Sequence, residues 1–348
     1  MRLEPVEPSM GRTVGFPALA IAATLVVASA LAMVAGASPF GVFGLVIQGA
    51  AGSWFAFLET LTRATPLIFT GLAIAVAFRA RLWNIGAEAQ LYIGGVVTVV
   101  LGTGALPLPS VVLIPLIALV AIFAGGLLLL GPAVLKTRFG VDEVVTTLLL
   151  NFIVLLFVSM LLEGALKDPM GMGWPQSSPV VSEAKWPRII QGKRLHYGFV
   201  VAVICAVGVW LLMARSVWGY EMRAVGLNRE AARFAGIPVN RVLARTAILS
   251  GGLAALAGVS EVSGLKGNLS LDLSPGFGYT GIVVAMLAML NPLGVIASAI
   301  FVAGIFVGAD AMSRSSGVPS YIADVMTATA LLTMVTAIML TRYRIRWR

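Results

Sequence analysis

Six long stretches of this chain carry no charged side chain. No Asp, Glu, Lys or Arg lies between Arg12 and Glu59, or from Ala89 to Leu135, Val144 to Leu162, Leu195 to Ala214, Leu273 to Ala309 and Val325 to Thr341. A soluble fold needs polar groups on every element, and soluble domains carry about 25% charged residues. Here 11% of the 348 residues are charged and 59% are hydrophobic. A single core cannot hide that much apolar surface, so lipid must solvate part of it. The expected fold is all-α, a polytopic bundle of transmembrane helices.

Crossing the hydrocarbon core takes about 20 apolar residues. Ten helices are expected, at about 15–35, 57–78, 84–104, 110–133, 143–163, 196–214, 244–263, 277–290, 293–312 and 321–341. Ala37-Ser38-Pro39 and Pro107-Leu108-Pro109 read as turns between them. The segment 277–290 is short for a full crossing and reads as a broken or re-entrant helix. Ala35-Gly36-Ala37 looks like a signal-peptidase site, but the apolar run before it exceeds the roughly 7–15 residues of a signal core, so the first helix is read as uncleaved.

Lys and Arg set the orientation. With the N-terminus in the cytoplasm, sixteen of the 24 fall on the inner side, and both termini are cytoplasmic. The expected organisation is a tail at 1–14, one membrane domain at 15–341 and a basic tail at 342–348, all in a bacterial inner membrane. Within the domain, 164–195 is an extracytoplasmic loop, read either as a docking surface or lid or as a plain connector, and 215–243 is a cytoplasmic loop.

Several chemistries are excluded. With one histidine and one cysteine, Cys205, a His/Cys metal site lacks ligands, and the lone His196, near a membrane boundary, argues against a Ser-His-Asp triad. No Gly-x-x-x-x-Gly-Lys-Ser/Thr loop is present, so the chain has no visible means of binding ATP. The expectation is a non-enzyme with no cofactor of its own. The net charge of +9 borders apolar runs and has no soluble basic module to carry it, which points to lipid headgroups and away from nucleic acid.

Polar groups inside apolar runs mark the candidate sites. Asn84, Glu88 and Gln90 open an otherwise apolar helix, and Asn151 lies within another. Such residues face protein or a water-filled path, because a charge near the bilayer centre costs about 2.5–3.5 kcal/mol. They read either as the lining of a translocation path or as a buried hydrogen-bond network locking helices together. Phe277 and Tyr279 offer rings that can stack on a flat ligand, or serve as interfacial aromatics. Gly251–Gly258 and Gly304–Gly308 place small residues on single helix faces and predict close helix packing. Glu261, Asp310 and Asp324 read as interfacial carboxylates, solvated or paired with Arg314 or Lys266; a proton relay is the alternative reading.

The inner loop has its own organisation. Asn228 is a good N-cap, Glu230 sits in the first turn, and Gly236 is a good stop followed by Pro238. They predict a two-turn helix at 229–235, with Ala231, Ala232 and Ala235 as a small-residue surface and Phe234 as an apolar anchor. Such a helix suits insertion into a groove on a cytoplasmic partner.

Four blocks carry a family resemblance: Arg63-Ala-Thr-Pro-Leu through Asn84-Ile-Gly-Ala-Glu88, Lys136 through Asn151, Arg223-Ala-Val-Gly-Leu-Asn-Arg-Glu-Ala-Ala232 with Ala235-Gly-Ile237, and Pro275 through Ala285. Together they resemble the inner-membrane permeases of ABC importers for nucleosides and simple sugars, relatives of the ribose and branched-chain amino-acid permeases. The resemblance implies a type II-like permease working by alternating access, with a nucleoside as cargo or a sugar such as ribose as the alternative. It implies a second, related permease chain, a cytoplasmic ATPase and an extracytoplasmic substrate-binding lipoprotein. It places coupling to the ATPase on Glu221, Arg223, Gly226, Asn228, Glu230, Ala231, Ala232 and Gly236, and makes Asn84, Glu88, Gln90, Asn151, Phe277 and Tyr279 path candidates. Trp83 and Ala89 stand where the family is expected to have Phe and Gly, which adds bulk near the path. From another class, an ion-coupled secondary transporter would use Glu88, Asp310 and Asp324.

Overall fold

The computed structural model describes residues 2–5, 38–104, 106–316 and 343–346, with further positions between 15 and 33 and between 325 and 341. Internal contacts divide it into two compact units, Leu61–Ala299 and a second made of Met1–Thr60 with Ile300–Arg348. Among the described residues the helices are α1 (Pro39–Ala51), α2 (Trp54–Arg79), α3 (Ala87–Gly102), α4 (Ser110–Phe139), α5 (Glu143–Glu163), α6 (Gly198–Arg215), α7 (Val217–Leu227), α8 (Arg229–Phe234), α9 (Val239–Glu261), α10 (Phe277–Leu287) and α11 (Pro292–Ser316). Two short strands, β1 (Arg2–Pro5) and β2 (Tyr343–Arg346), pair antiparallel with Arg2 opposite Arg346.

Among the described residues, six helices are long and apolar enough to cross a bilayer: α2, α4, α5, α6, α9 with the π-turn Val262–Lys266 that continues it, and α11. The chain is a multi-pass membrane protein. The helices expected between 57 and 312 appear within several residues of their expected bounds. α10 is short, as its sequence suggested. α3 is shorter than expected, because residues 82–86 enter it as non-helical chain. Two helices lie where none was expected, α1 and α7. Ser38 and Pro39 do interrupt the chain, but as the N-cap and first residue of α1, the position where proline's missing N–H costs nothing. The expected helices 15–35 and 321–341 fall in part, and Ala35–Ala37 and Asp324 entirely, outside the described residues; the described positions in those two helices are helical.

In the larger unit, α9 packs against α3 and α4. Glycines set the spacing: a methyl group at Gly258 would overlap the Leu91 carbonyl of α3, and one at Gly251 would overlap the Gly125 carbonyl of α4. This is the close approach that the small-residue face predicted. The part of α2 in this unit is almost wholly buried and lies against α9 and α10, with Ser250 Oγ donating to the Ala73 carbonyl at 2.7 Å and Gly281 packed on Thr70.

The 164–195 loop is bound to one end of this unit. Val181 donates to Gly102 O at the end of α3, Ser177 to Leu269 O and Val180 to Gly267 O, each at 2.8 Å, and Trp186 to Ser263 O at 2.9 Å. In the smaller unit, Gly308 of α11 sits against the Val46 carbonyl of α1, so Gly304–Gly308 serves internal packing as its spacing suggested.

Candidate functional site

Residues 80–86 join α2 to α3, and this link with the first turn of α3 carries Asn84, Glu88 and Gln90. Buried non-helical backbone must find its hydrogen-bond partners inside the protein. Here they come from one face of α5. Glu143, Thr147 and Asn151 are spaced four residues apart, so their side chains align along the helix. Glu143 Oε1 accepts from Trp83 N–H at 3.4 Å, Thr147 Oγ1 from Ile85 N–H at 3.2 Å, and Asn151 Oδ1 from Ala89 N–H at 3.0 Å. Asn151 Nδ2 donates to the Ile85 carbonyl and to Tyr279 Oη, both at 2.9 Å.

A second network lies beside the ladder. The amides of Asn84 and Gln90 pair head to head, with Nδ2 to Oε1 at 2.9 Å and Nε2 to Oδ1 at 3.0 Å. Asn84 Nδ2 also donates to Ser250 Oγ, and Asn84 Oδ1 accepts from Gly86 N–H, both at 3.0 Å. Through Ser250 the pair is tied to α9 and the α2 backbone. Glu88 reaches in another direction. Its carboxylate accepts from Gly278 N–H at 2.6 Å, at the start of α10. A negative group there satisfies a free helix N–H and complements the helix dipole.

The structure therefore gathers Asn84, Glu88, Gln90, Asn151 and Tyr279 where α3, α5, α9 and α10 meet. Asn84, Gln90 and Asn151 are fully buried, and Glu88 nearly so. Tyr279 differs: it is 41% exposed, with its hydroxyl held by Asn151. Phe277 is buried beneath Arg63, whose guanidinium lies 5.2 Å from the ring centroid, so its faces are not free to stack on a ligand. Of the two departures, Ala89 is fully buried and Trp83 half exposed, with its ring edge-on to Phe78 at 4.6 Å. Glu261, read as interfacial, is buried at the end of α9 with Arg63, Lys266 and Arg194 as neighbouring charges.

Sequence reading missed Thr147, Ser250 and Glu143. The signal was present for α5, where polar side chains recur every four residues in an apolar helix. Ser250 had none, because a lone serine beside Gly251 reads as a small packing residue.

The other candidate surface is the α7–α8 segment. Ser216 caps α7 by accepting from Gly219 N–H at 3.0 Å. Met222, Val225 and Gly226 are buried, and Gly226 lies on the Arg79 carbonyl at the end of α2. Arg223 donates to the Met213 carbonyl, and Glu221 is half-buried. Asn228 caps α8 as its sequence suggested, accepting from Glu230 and Ala231 N–H at 3.0 and 3.1 Å. Gly236 ends the segment with a φ of +82°. Ala232 faces inward, while Glu230, Ala231 and Ala235 are exposed and Phe234 is 96% exposed. Beside α8 an open cleft of about 880 Å³ is lined by Arg81, Trp83, Lys136, Asp142, Glu143 and Arg229 among others.

Residues 56–342 match the family described as branched-chain amino acid transport system, permease component. The chain is 34% identical to a guanosine ABC transporter permease protein of Bacillus subtilis, over 91% of each chain. It is 33% identical to a glucose ABC transporter permease protein of Haloferax volcanii, over 95% of this chain and 89% of that one. It is 28% identical to a nucleoside ABC transporter permease protein of Lactococcus lactis, over 91% of this chain and 89% of that one.

Proposed function

The chain belongs to the permease-component family of branched-chain amino acid transport systems, and on that premise we propose that it forms the membrane path of an ATP-driven importer of nucleosides. The observation that carries the substrate is the 34% identity, over nine-tenths of both chains, to a guanosine permease. The site fits such cargo. Tyr279 holds an exposed ring in a fixed orientation, and aromatic stacking on a nucleobase contributes about 1–3 kcal/mol per base. Asn84, Glu88, Gln90 and Asn151 form the buried polar network beside it, and Phe277, the first residue of α10, anchors that helix in the interior under Arg63. A simple sugar is the second reading, favoured by the 33% identity to a glucose permease.

In this proposal the chain is a bacterial inner-membrane protein of about ten crossings with both termini in the cytoplasm. ATP is hydrolysed on a separate subunit that docks on α7–α8 through the exposed Phe234 and the residues around it, Glu221, Arg223, Gly226, Asn228, Glu230, Ala231, Ala232 and Gly236. A related permease chain completes the path, and a binding lipoprotein delivers the solute from outside. The 164–195 loop, bound across the ends of α3 and α9, faces that lipoprotein. The substrate is tested by uptake of labelled guanosine, ribose and glucose, each alone, in cells expressing the full transporter. Uptake of guanosine and of neither sugar supports the nucleoside reading; uptake of glucose or ribose without guanosine replaces it with the sugar reading.

A further inference from the structure

Arg81 is one of four described residues other than glycine with a positive φ, at +52°, in the turn that ends α2. A non-glycine side chain in that region is strained and persists only where its surroundings hold it. Two cations from different helices do so. Lys136 of α4 donates to the Arg81 carbonyl at 3.2 Å, and Arg229 of α8 donates to it at 2.8 Å. Lys136 also pairs with Glu143, the first rung of the α5 ladder. The carbonyl is therefore a junction. Two residues beyond it the ladder begins at Trp83, and three beyond it Asn84 enters the amide pair with Gln90.

From these contacts we infer that Arg229 is a positioning residue that carries displacement of α8 through the Arg81 carbonyl into the link before α3, and so into the polar site. This rests on the reading of α8 as the ATPase-facing helix, and adds the route from there to the path. A hydrogen bond from a charged donor resists displacement better than a neutral one, and Lys136 gives the same carbonyl a second anchor on α4. The link is short non-helical chain whose neighbouring rungs are hydrogen bonds, so a pull at Arg81 moves Trp83 and Asn84 together with it.

The test uses the complete transporter in lipid vesicles, with R229M and R229K compared to wild type. A Cys205→Ala, Trp83→Cys background reports the link through thiol labelling with and without ATP. R229M is expected to hydrolyse ATP at a rate near wild type, lower uptake about tenfold or more, as expected for loss of a hydrogen bond to a charged group, and abolish the ATP-driven change in labelling. R229K, which keeps a charged donor, is expected to recover part of both. Wild-type uptake and labelling change in R229M would overturn the proposal. So would loss of the ATPase from purified R229M and R229K complexes, because Arg229 would then be a docking residue. The reading of α8 itself is tested separately by F234E: if the ATPase stays bound and uptake is unchanged, that reading fails whatever R229M does.

Discussion

Replacing Asn151 with leucine removes three hydrogen bonds without changing the volume much. Two of the partners are backbone groups, the buried Ala89 N–H at 3.0 Å and the half-buried Ile85 carbonyl at 2.9 Å. Ala89 lies in the first turn of α3, where a helix has no internal acceptor for its N–H groups. Ile85 lies in the non-helical link. The Ala89 N–H has no water to turn to, and the Ile85 carbonyl is only partly open. Each unsatisfied buried group costs about 1–3 kcal/mol. The third partner, Tyr279, is partly exposed and can be hydrated, so it adds little. Leucine offsets some of the loss through its own burial, and interhelical hydrogen bonds in membranes average only about 0.6 kcal/mol because the unfolded chain also finds partners. That average describes side chains between regular helices. Here the orphaned groups belong to a segment that cannot satisfy itself, so the larger figure governs and the net loss is about 2–4 kcal/mol. Thermal unfolding of the purified protein in detergent measures it, with Phe152→Leu on the exposed face of α5 as control. The expected result is a fall in Tm on the order of 5 °C or more for Asn151→Leu and almost none for the control. If the two variants unfold at the same temperature, the ladder does not hold the link and the reasoning fails.

Three further predictions follow from individual contacts. Gly258→Val puts a side chain where the Leu91 carbonyl lies, so α3 and α9 must separate; overpacking of this kind costs about 1–3 kcal/mol, read as reduced Tm and yield, and wild-type stability would contradict the packing. Tyr279→Ala is expected to raise the KM for nucleoside uptake about tenfold, while Tyr279→Phe, which keeps the ring, stays within about threefold of wild type; equal effects would remove the ring from recognition. Burial, and secondarily the charge of Arg188, pushes the His196 imidazole down from 6.5 to about 4. The folded protein then binds fewer protons than the unfolded chain between those values. Its contribution to stability is full above about pH 6.5 and is lost as the pH falls toward about 4, by up to about 3 kcal/mol. Proteolysis of the 164–195 loop should quicken at about pH 5 relative to pH 7.5, and His196→Asn should flatten that dependence; an unchanged wild-type rate would contradict it.

The parts of the fold legible in the sequence were those set by local chemistry. Absence of charge located α4, α5, α6 and most of α11, and the Asn228 cap and Gly236 stop located α8. α1 and α7 were missed because their glycines, Gly41, Gly44 and Gly49 in one and Gly219 and Gly226 in the other, lower helix propensity. In α7 two of those glycines exist for contact: Gly226 meets the Arg79 carbonyl and Gly219 the end of α6. The candidate site was legible as a set of polar residues but not as an arrangement. Asn151 finds Ile85 and Ala89 more than sixty positions away, and Glu88 finds Gly278 at a separation of 190. No local pattern carries such pairings. Phe277 and Tyr279, two residues apart, looked equivalent; helical geometry turned one under Arg63 and left the other open.

The most direct measurement is guanosine accumulation in vesicles that contain this chain with its partner permease, ATPase and binding protein. ATP and ion gradients are supplied separately. Accumulation with ATP and no gradient, abolished when the ATPase subunit is omitted, is the predicted outcome. Accumulation driven by a proton or sodium gradient in vesicles lacking the ATPase would show that the chain draws its energy elsewhere.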